Sequence, residues 1–166
     1  MSLSGVLTGV GVIGFSKSSE AISVTGGNRF SIPFGTDNLQ YMFCFPKEMT
    51  LKSISVIFNN WLDIYIVSMS THITPFIALA TAAPGTYNFT IIESSKVFPA
   101  KGYVNETGVL GQNHPTSTIF TAIKNNMDVT IPAGVPVAIV GGVMSIGTVH
   151  QLFQQYIYMH GSMIFE

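Results

Sequence analysis

Residues 41–58, YMFCFPKEMTLKSISVIF, limit the possible folds more than any other stretch of this chain. Two apolar segments flank Pro46-Lys47-Glu48. The second segment alternates, with Ile54, Val56 and Phe58 separated by smaller or polar residues such as Ser53 and Ser55. Successive side chains of a strand point to opposite faces, so this segment predicts a half-buried strand with those three residues in a core. The first segment, Tyr41-Met42-Phe43-Cys44-Phe45, is apolar on both faces, as expected of a central strand covered above and below. Pro46-Lys47-Glu48 then reads as the hairpin joining the two strands. Such a pair requires a layered β core.

The rest of the chain repeats the theme in short pieces. Apolar or alternating runs at 22–24, 30–33, 62–69, 76–80, 87–93, 119–124, 135–143 and 154–165 are among them. Pro84-Gly85, Asn125-Asn126 and Pro132-Ala133-Gly134 supply turn chemistry between such runs. Residues 94–117, punctuated by Gly102, Gly108, Gly111 and Pro115, read as loop with one or two short strands. In the last run Tyr156, Tyr158 and His160 share one face, with Ile157, Met159, Met163 and Phe165 on the other. Helical periodicity is nearly absent. The expected fold is all-β, a jelly-roll sandwich of about ten strands. It forms one domain over 1–166, with 1–8 as an appended or flexible start.

Composition narrows the function classes. Charged residues are 9% of the chain and hydrophobic residues 47%, against about 25% charged in ordinary soluble domains. The surface must therefore be neutral and polar, or hidden in subunit contacts, because large exposed apolar patches mark interfaces. Net charge is −1 with no basic run, which argues against a nucleic-acid partner. No span reaches the ~18 apolar residues of a membrane helix, so membrane insertion is not expected. Residues 6–15 are apolar but have no Lys or Arg before them, unlike a signal peptide. Cys44 is the single cysteine. It is expected to be a buried, inert small hydrophobe between Phe43 and Phe45.

Catalytic and cofactor motifs read poorly. Gly9-Val10-Gly11-Val12-Ile13-Gly14 matches G-x-G-x-x-G, but that motif needs a strand before it and a helix after it. A Gly-rich strand is the better reading. His72, His114, His150 and His160 are at least ten residues apart, without the spacing of a metal-binding roll. Asp63, Glu93, Glu106 and Asp128 are isolated in sequence and read as solvated charges. No catalytic site, metal or cofactor is expected. Asn88-Phe89-Thr90 and Asn105-Glu106-Thr107 match the glycosylation sequon, which matters only in a eukaryotic secretory setting.

Several motifs carry a resemblance in order along the chain. They are Gly14-Phe15-Ser16-x-Ser18-Ser19, Ser23-Val24-x-Gly26-Gly27, Tyr41-x-Phe43-x-Phe45-Pro46 and Thr50-Leu51-x-Ser53-Ile54-x-x-x-Phe58. Ala83-Pro84-Gly85, Val129-x-Ile131-Pro132-Ala133-Gly134 and Tyr158-x-x-Gly161-Ser162 follow. Together they resemble the C-terminal domain of the collagen-like exosporium glycoproteins of spore-forming Firmicutes, the BclB-like group. The resemblance implies a jelly roll of the C1q and tumour-necrosis-factor type, assembled as a homotrimer at the tip of a collagen-like stalk. It also implies a spore-surface location and a structural or attachment role without catalysis. The chain carries no Gly-X-Y repeat and is richer in Met, Phe and Tyr than that group.

The expected partner is then the chain itself, with Tyr156, Tyr158, His160, Tyr41 and Phe43 as candidates for the three-fold interface. The second reading is a carbohydrate- or receptor-binding head like that of a phage tail fibre. Its expected exposed surface is Trp61, Tyr103, Asn113 and His114, facing glycans or host or spore-surface proteins. A cupin-like metalloenzyme is the third.

Overall fold

The computed structural model describes residues 9–13, 22–25, 28–32, 41–60, 63–66, 72–104, 111–146 and 157–166. Within them the chain is all-β, with no α-helix. The strands begin with β1 (Gly9–Ile13), β2 (Ile22–Ser23), β3 (Arg29–Ser31), β4 (Met42–Cys44) and β5 (Met49–Asn60). Next come β6 (Ile64–Ile66), β7 (His72–Ala82), β8 (Asn88–Ile91), a 3-10 turn at Glu93–Ser95, and β9 (Tyr103–Val104). The chain closes with β10 (Gln112–His114), β11 (Ile119–Lys124), β12 (Val129–Ile131), β13 (Pro136–Ile146) and β14 (Ile157–Phe165). All pairings are antiparallel.

The first sheet has the order β2-β1-β13-β7-β8-β3, with β4 also on β13 and β9 also on β7. Its two ends meet: Thr25, just after β2, and Arg29, which opens β3, exchange backbone hydrogen bonds of 2.6 and 3.1 Å. The sheet is therefore rolled. Phe30 and Ile32 from one end of the order, and Ile22 and Val24 from the other, pack with Phe76, Ala78, Phe89 and Val140 on one face.

The second sheet is built on β5, with β11 and β12 paired along one side and β14 along the other. Ile54, Val56 and Phe58 are at most 1% exposed, as the alternation of β5 predicted. Their core includes Ile77, Leu79 and Val137 of the first sheet, so the two sheets pack face to face. One extra residue, Lys52, interrupts the β5–β14 register: Ile164 faces Ser53 and Phe165 faces Leu51. This bulge turns Leu51 inward as well. A small ribbon, β6 with β10, forms its own sheet and packs on β7 and β9 through Ile64, Ile66, Ile73 and Tyr103.

The strand buried on both faces is β7, not 41–45. Residues 73–80 are all buried, because Phe76, Ala78 and Ala80 enter the core inside the rolled sheet and Ile77 and Leu79 the core between the sheets, while β13 pairs along one edge and β8, β9 and the Val97 bridge along the other. Pro75 sits inside this strand without breaking it. Ile77 bonds Val97, and Leu79 bonds Ser95 and Ile92, all on the side away from β13. Pro75 shares their parity, so the N–H it lacks belongs to that side and the β13 ladder is intact.

Residues 41–45 form a peripheral strand instead. Among the described residues β4 pairs only with the start of β13. Cys44 is exposed there rather than buried. The segment reads as two-sided because Tyr41 and Met42 pack on the core inside the rolled sheet and Phe43 and Phe45 on the core between the sheets, all only half-buried; Phe43 meets Phe45 edge-on at 5.2 Å, and Phe45 meets Phe165 at 4.8 Å. Pro46-Lys47-Glu48 is not a hairpin. β4 belongs to the first sheet and β5 to the second, so these residues carry the chain across the sandwich. The Gly134 N–H donating to the Phe45 carbonyl at 2.9 Å anchors the crossing.

Candidate functional site

The outer face of the second sheet is built by the register of three strands. Ile119, Asn59 and Tyr158 form one cross-strand row. Thr121, Ile57 and His160 form the next, and Ile123, Ser55 and Ser162 the third. Ile164 opposite Ser53 extends the face at its end. These residues alternate with the fully buried Ile54, Val56 and Phe58, which fixes them on the opposite side.

This face holds most of the exposed large apolar side chains found among the described residues. Ile57, Ile119, Ile123, Tyr158 and Ile164 are 44–69% exposed, and only Tyr65 and Tyr87 lie elsewhere. The rows contain no Asp, Glu, Lys or Arg. Of the cations adjacent in sequence, Lys124 is turned to the backbone carbonyl of Ser94 at 2.9 Å and Lys52 to Asp128 Oδ1 at 3.2 Å. On its other side β14 has no paired strand among the described residues. The site is therefore a neutral sheet face in which isoleucines alternate with hydroxyl, amide and imidazole groups. It offers contact area and hydrogen-bonding groups, and no nucleophile–base pair.

Of the residues expected at an interface, Tyr158 and His160 lie on this face, both exposed. Tyr41 packs on the core inside the rolled sheet, and Phe43 on the core between the sheets. Both are only half-buried, and neither belongs to the face of Tyr158. Tyr156 lies outside the described residues. Sequence reasoning missed Ile57, Ile119, Ile123 and Ile164. The available signal was Ile57, an apolar residue on the otherwise polar side of β5.

The expected ligand surface does not form as one patch. Trp61 lies outside the described residues. Tyr103 is fully buried rather than exposed, in a small core with Ile64, Ile66 and Ile73. Its ring meets Phe120 at 4.8 Å and His114 at 5.4 Å, both edge-on. Burial pushes its phenol up to about 12, and its hydroxyl has no hydrogen-bond partner among the described residues. His114 is half-buried, with Nε2 2.8 Å from the Val104 carbonyl. Asn113 alone is exposed, donating to Asp63 Oδ2 at 3.0 Å. Asp63 also accepts from the Thr116 N–H and, at 2.7 Å, from its hydroxyl. Bonds from Asn113 and Thr116 hold the Asp63 carboxyl below the usual carboxylate range.

The described part of the G-x-G-x-x-G match, Gly9–Ile13, is strand β1, paired on both sides with β2 and β13. Among the described residues no group of three or more His, Cys, Asp or Glu side chains is placed to hold a metal ion. Comparison with protein-family models, curated proteins and solved structures finds no match to this chain.

Proposed function

We propose that this chain is a non-catalytic, self-associating structural module: a jelly-roll head that assembles as a homotrimer through the outer face of its second sheet. The observation that carries this reading is the contiguous set Ile57, Ile119, Ile123, Tyr158 and Ile164 on a face without formal charge. Burying the exposed parts of these side chains supplies on the order of 4–8 kcal/mol per protomer. That is comparable with the lower estimates of the cost of association. A second copy is the fitting occupant because the face is neutral and so does not repel itself. Its Ser, Thr, Asn and His side chains also offer both donors and acceptors to neighbouring copies converging about a three-fold axis. The placement of the head at the tip of a collagen-like stalk on a spore surface, as an attachment element, rests on the motif resemblance.

Sedimentation equilibrium tests the assembly. A species of three times 17.9 kDa is expected, and a monodisperse monomer at micromolar concentration would sink the reading. The gene sequence upstream of this chain tests the placement, where a Gly-X-Y run is expected.

One observation favours the runner-up, a carbohydrate-binding head. Tyr65 is 54% exposed and stands opposite Asn113 in the β6–β10 ribbon, beside Asp63. An aromatic face next to amide and carboxylate groups suits a sugar. Glycan-array binding that is lost in Tyr65→Ala, with assembly intact, would establish it.

A further inference from the structure

Asn28, Glu93 and Lys96 meet at the seam of the rolled sheet. Lys96 is a buried lysine, with 7% of its side chain exposed. Its Nζ is 2.8 Å from Glu93 Oε1 and 3.0 Å from Asn28 Oδ1. The amide Nδ2 of Asn28 donates to that same Glu93 Oε1. The Phe76 ring lies 5.5 Å from Nζ, with Phe98 packed on it. Backbone bonds hold each member in place. Lys96 N–H donates to the Glu93 carbonyl at 3.1 Å, setting the two side chains one turn apart. The Asn28 carbonyl accepts from Ile91 N–H at 2.9 Å, fixing it against β8.

We propose that Lys96 and Asn28 join in an intramolecular isopeptide bond, with Glu93 as the proton carrier. The chemistry needs an amine, an amide carbonyl carbon and one acid–base group that reaches both nitrogens, and this cluster supplies all three. Glu93 takes a proton from the Lys96 ammonium. The Nζ lone pair attacks Cγ of Asn28, and the carbonyl π electrons move to Oδ1. Glu93 passes its proton to Nδ2. The tetrahedral centre collapses, the Cγ–Nδ2 bond breaks, and ammonia leaves and takes up the remaining proton of the former ammonium. Ammonium plus amide thus become a secondary amide plus NH4+, with no oxidant, metal or co-reactant. Burial shields the Lys96 amine from water while the Glu93 carboxylate reaches it from the more exposed side, and the fixed geometry makes the attack effectively unimolecular. The bond would span 68 residues. It ties the segment between β2 and β3 to the one that bridges β7 at Val97. In a chain with a single cysteine it performs the clamping that a disulfide performs elsewhere.

Intact mass spectrometry of the purified full chain tests this. The mass is expected ~17 Da below that of the sequence, the loss of one ammonia. Digestion should give a branched peptide linking positions 28 and 96. Glu93→Gln keeps the amine and the amide but removes the proton carrier, so it should restore the full mass in a folded protein. Lys96→Arg should restore it too. Wild-type protein at full mass after prolonged incubation in the folded state would reduce the cluster to an ion pair and overturn the proposal. A ~17 Da loss that persists in Lys96→Arg would overturn it equally, by placing the reaction elsewhere.

Discussion

Replacing Ile123 by Asp separates assembly from folding. Ile123 is 69% exposed and stands in the row with Ser55 and Ser162. In the isolated chain its side chain is mostly in water, so the exchange should cost folding no more than about 1 kcal/mol. For a chain of this size that lowers the melting temperature by roughly 2–4 °C. In the proposed assembly the same position is covered. About two-thirds of the ~1.5–3 kcal/mol gained by burying an isoleucine is lost, or ~1–2 kcal/mol per protomer. The carboxylate then faces a surface whose described residues offer no Lys or Arg, which adds roughly 1–3 kcal/mol for an unsatisfied buried group. Together these weaken each contact by about one and a half to more than three decades. Sedimentation equilibrium over a hundredfold concentration range, with a thermal melt of the same samples, reads both effects. A folded monomer is expected for the variant, and a trimer for the unmodified chain. An Ile123→Asp trimer of unchanged affinity would refute the assignment of the face. A melting temperature lowered by much more than a few degrees would refute the premise that Ile123 lies outside the folding core.

Phe58 has no exposed surface in the core between the sheets, so Phe58→Ala should cost ~3–5 kcal/mol in chemical denaturation, a large share of typical domain stability. A Cβ at Gly161 would sit 2.3 Å from the Ser55 carbonyl oxygen. Gly161→Ala should therefore loosen β14 from β5, seen as faster amide exchange along β14 with β7 and β13 still protected. The Tyr103 hydroxyl is buried without a partner among the described residues, so Tyr103→Phe should be neutral or stabilising by up to ~1 kcal/mol. The phenol ionises at its ordinary 10.0 when unfolded and at about 12 when folded. Its contribution is therefore full below pH 10 and lost as pH rises from 10 to 12. Tyr103→Phe should flatten that part of the stability profile; an unchanged slope would mean another group sets it.

How much was legible in the sequence follows the range of each interaction. Period-two alternation is a property of neighbouring residues, so the inward set Ile54, Val56 and Phe58 and the inward face of β14 could be read directly. Turn chemistry is equally local: Gly134, at a φ of +72°, sits in the Pro132-Ala133-Gly134 turn expected there. The all-β class follows from these local signals together.

Which strand lies in the middle is a different kind of fact. It depends on the flanking strands, and these come from far along the chain. Residues 72–82, HITPFIALATA, look broken by Pro75 and diluted by Ala and Thr. They become the two-sided centre because one face enters the core inside the rolled sheet and the other the core between the sheets, with β13 on one edge and β8 and β9 on the other. The richer aromatic run at 41–45 pairs with one short stretch of β13 and leaves Cys44 in solvent. Tyr103 looked like an exposed ring in a glycine-punctuated loop, yet Phe120 and His114 from later strands bury it. The apolar outer face exists only once β11 and β14 align their isoleucines with Ile57. Asn28 and Lys96, 68 residues apart, share no pattern at all. Local spacing determined which residues alternate and where the chain turns. Tertiary pairing alone decided which faces are covered and which reactive groups meet, because burial is a property of what lands on a strand.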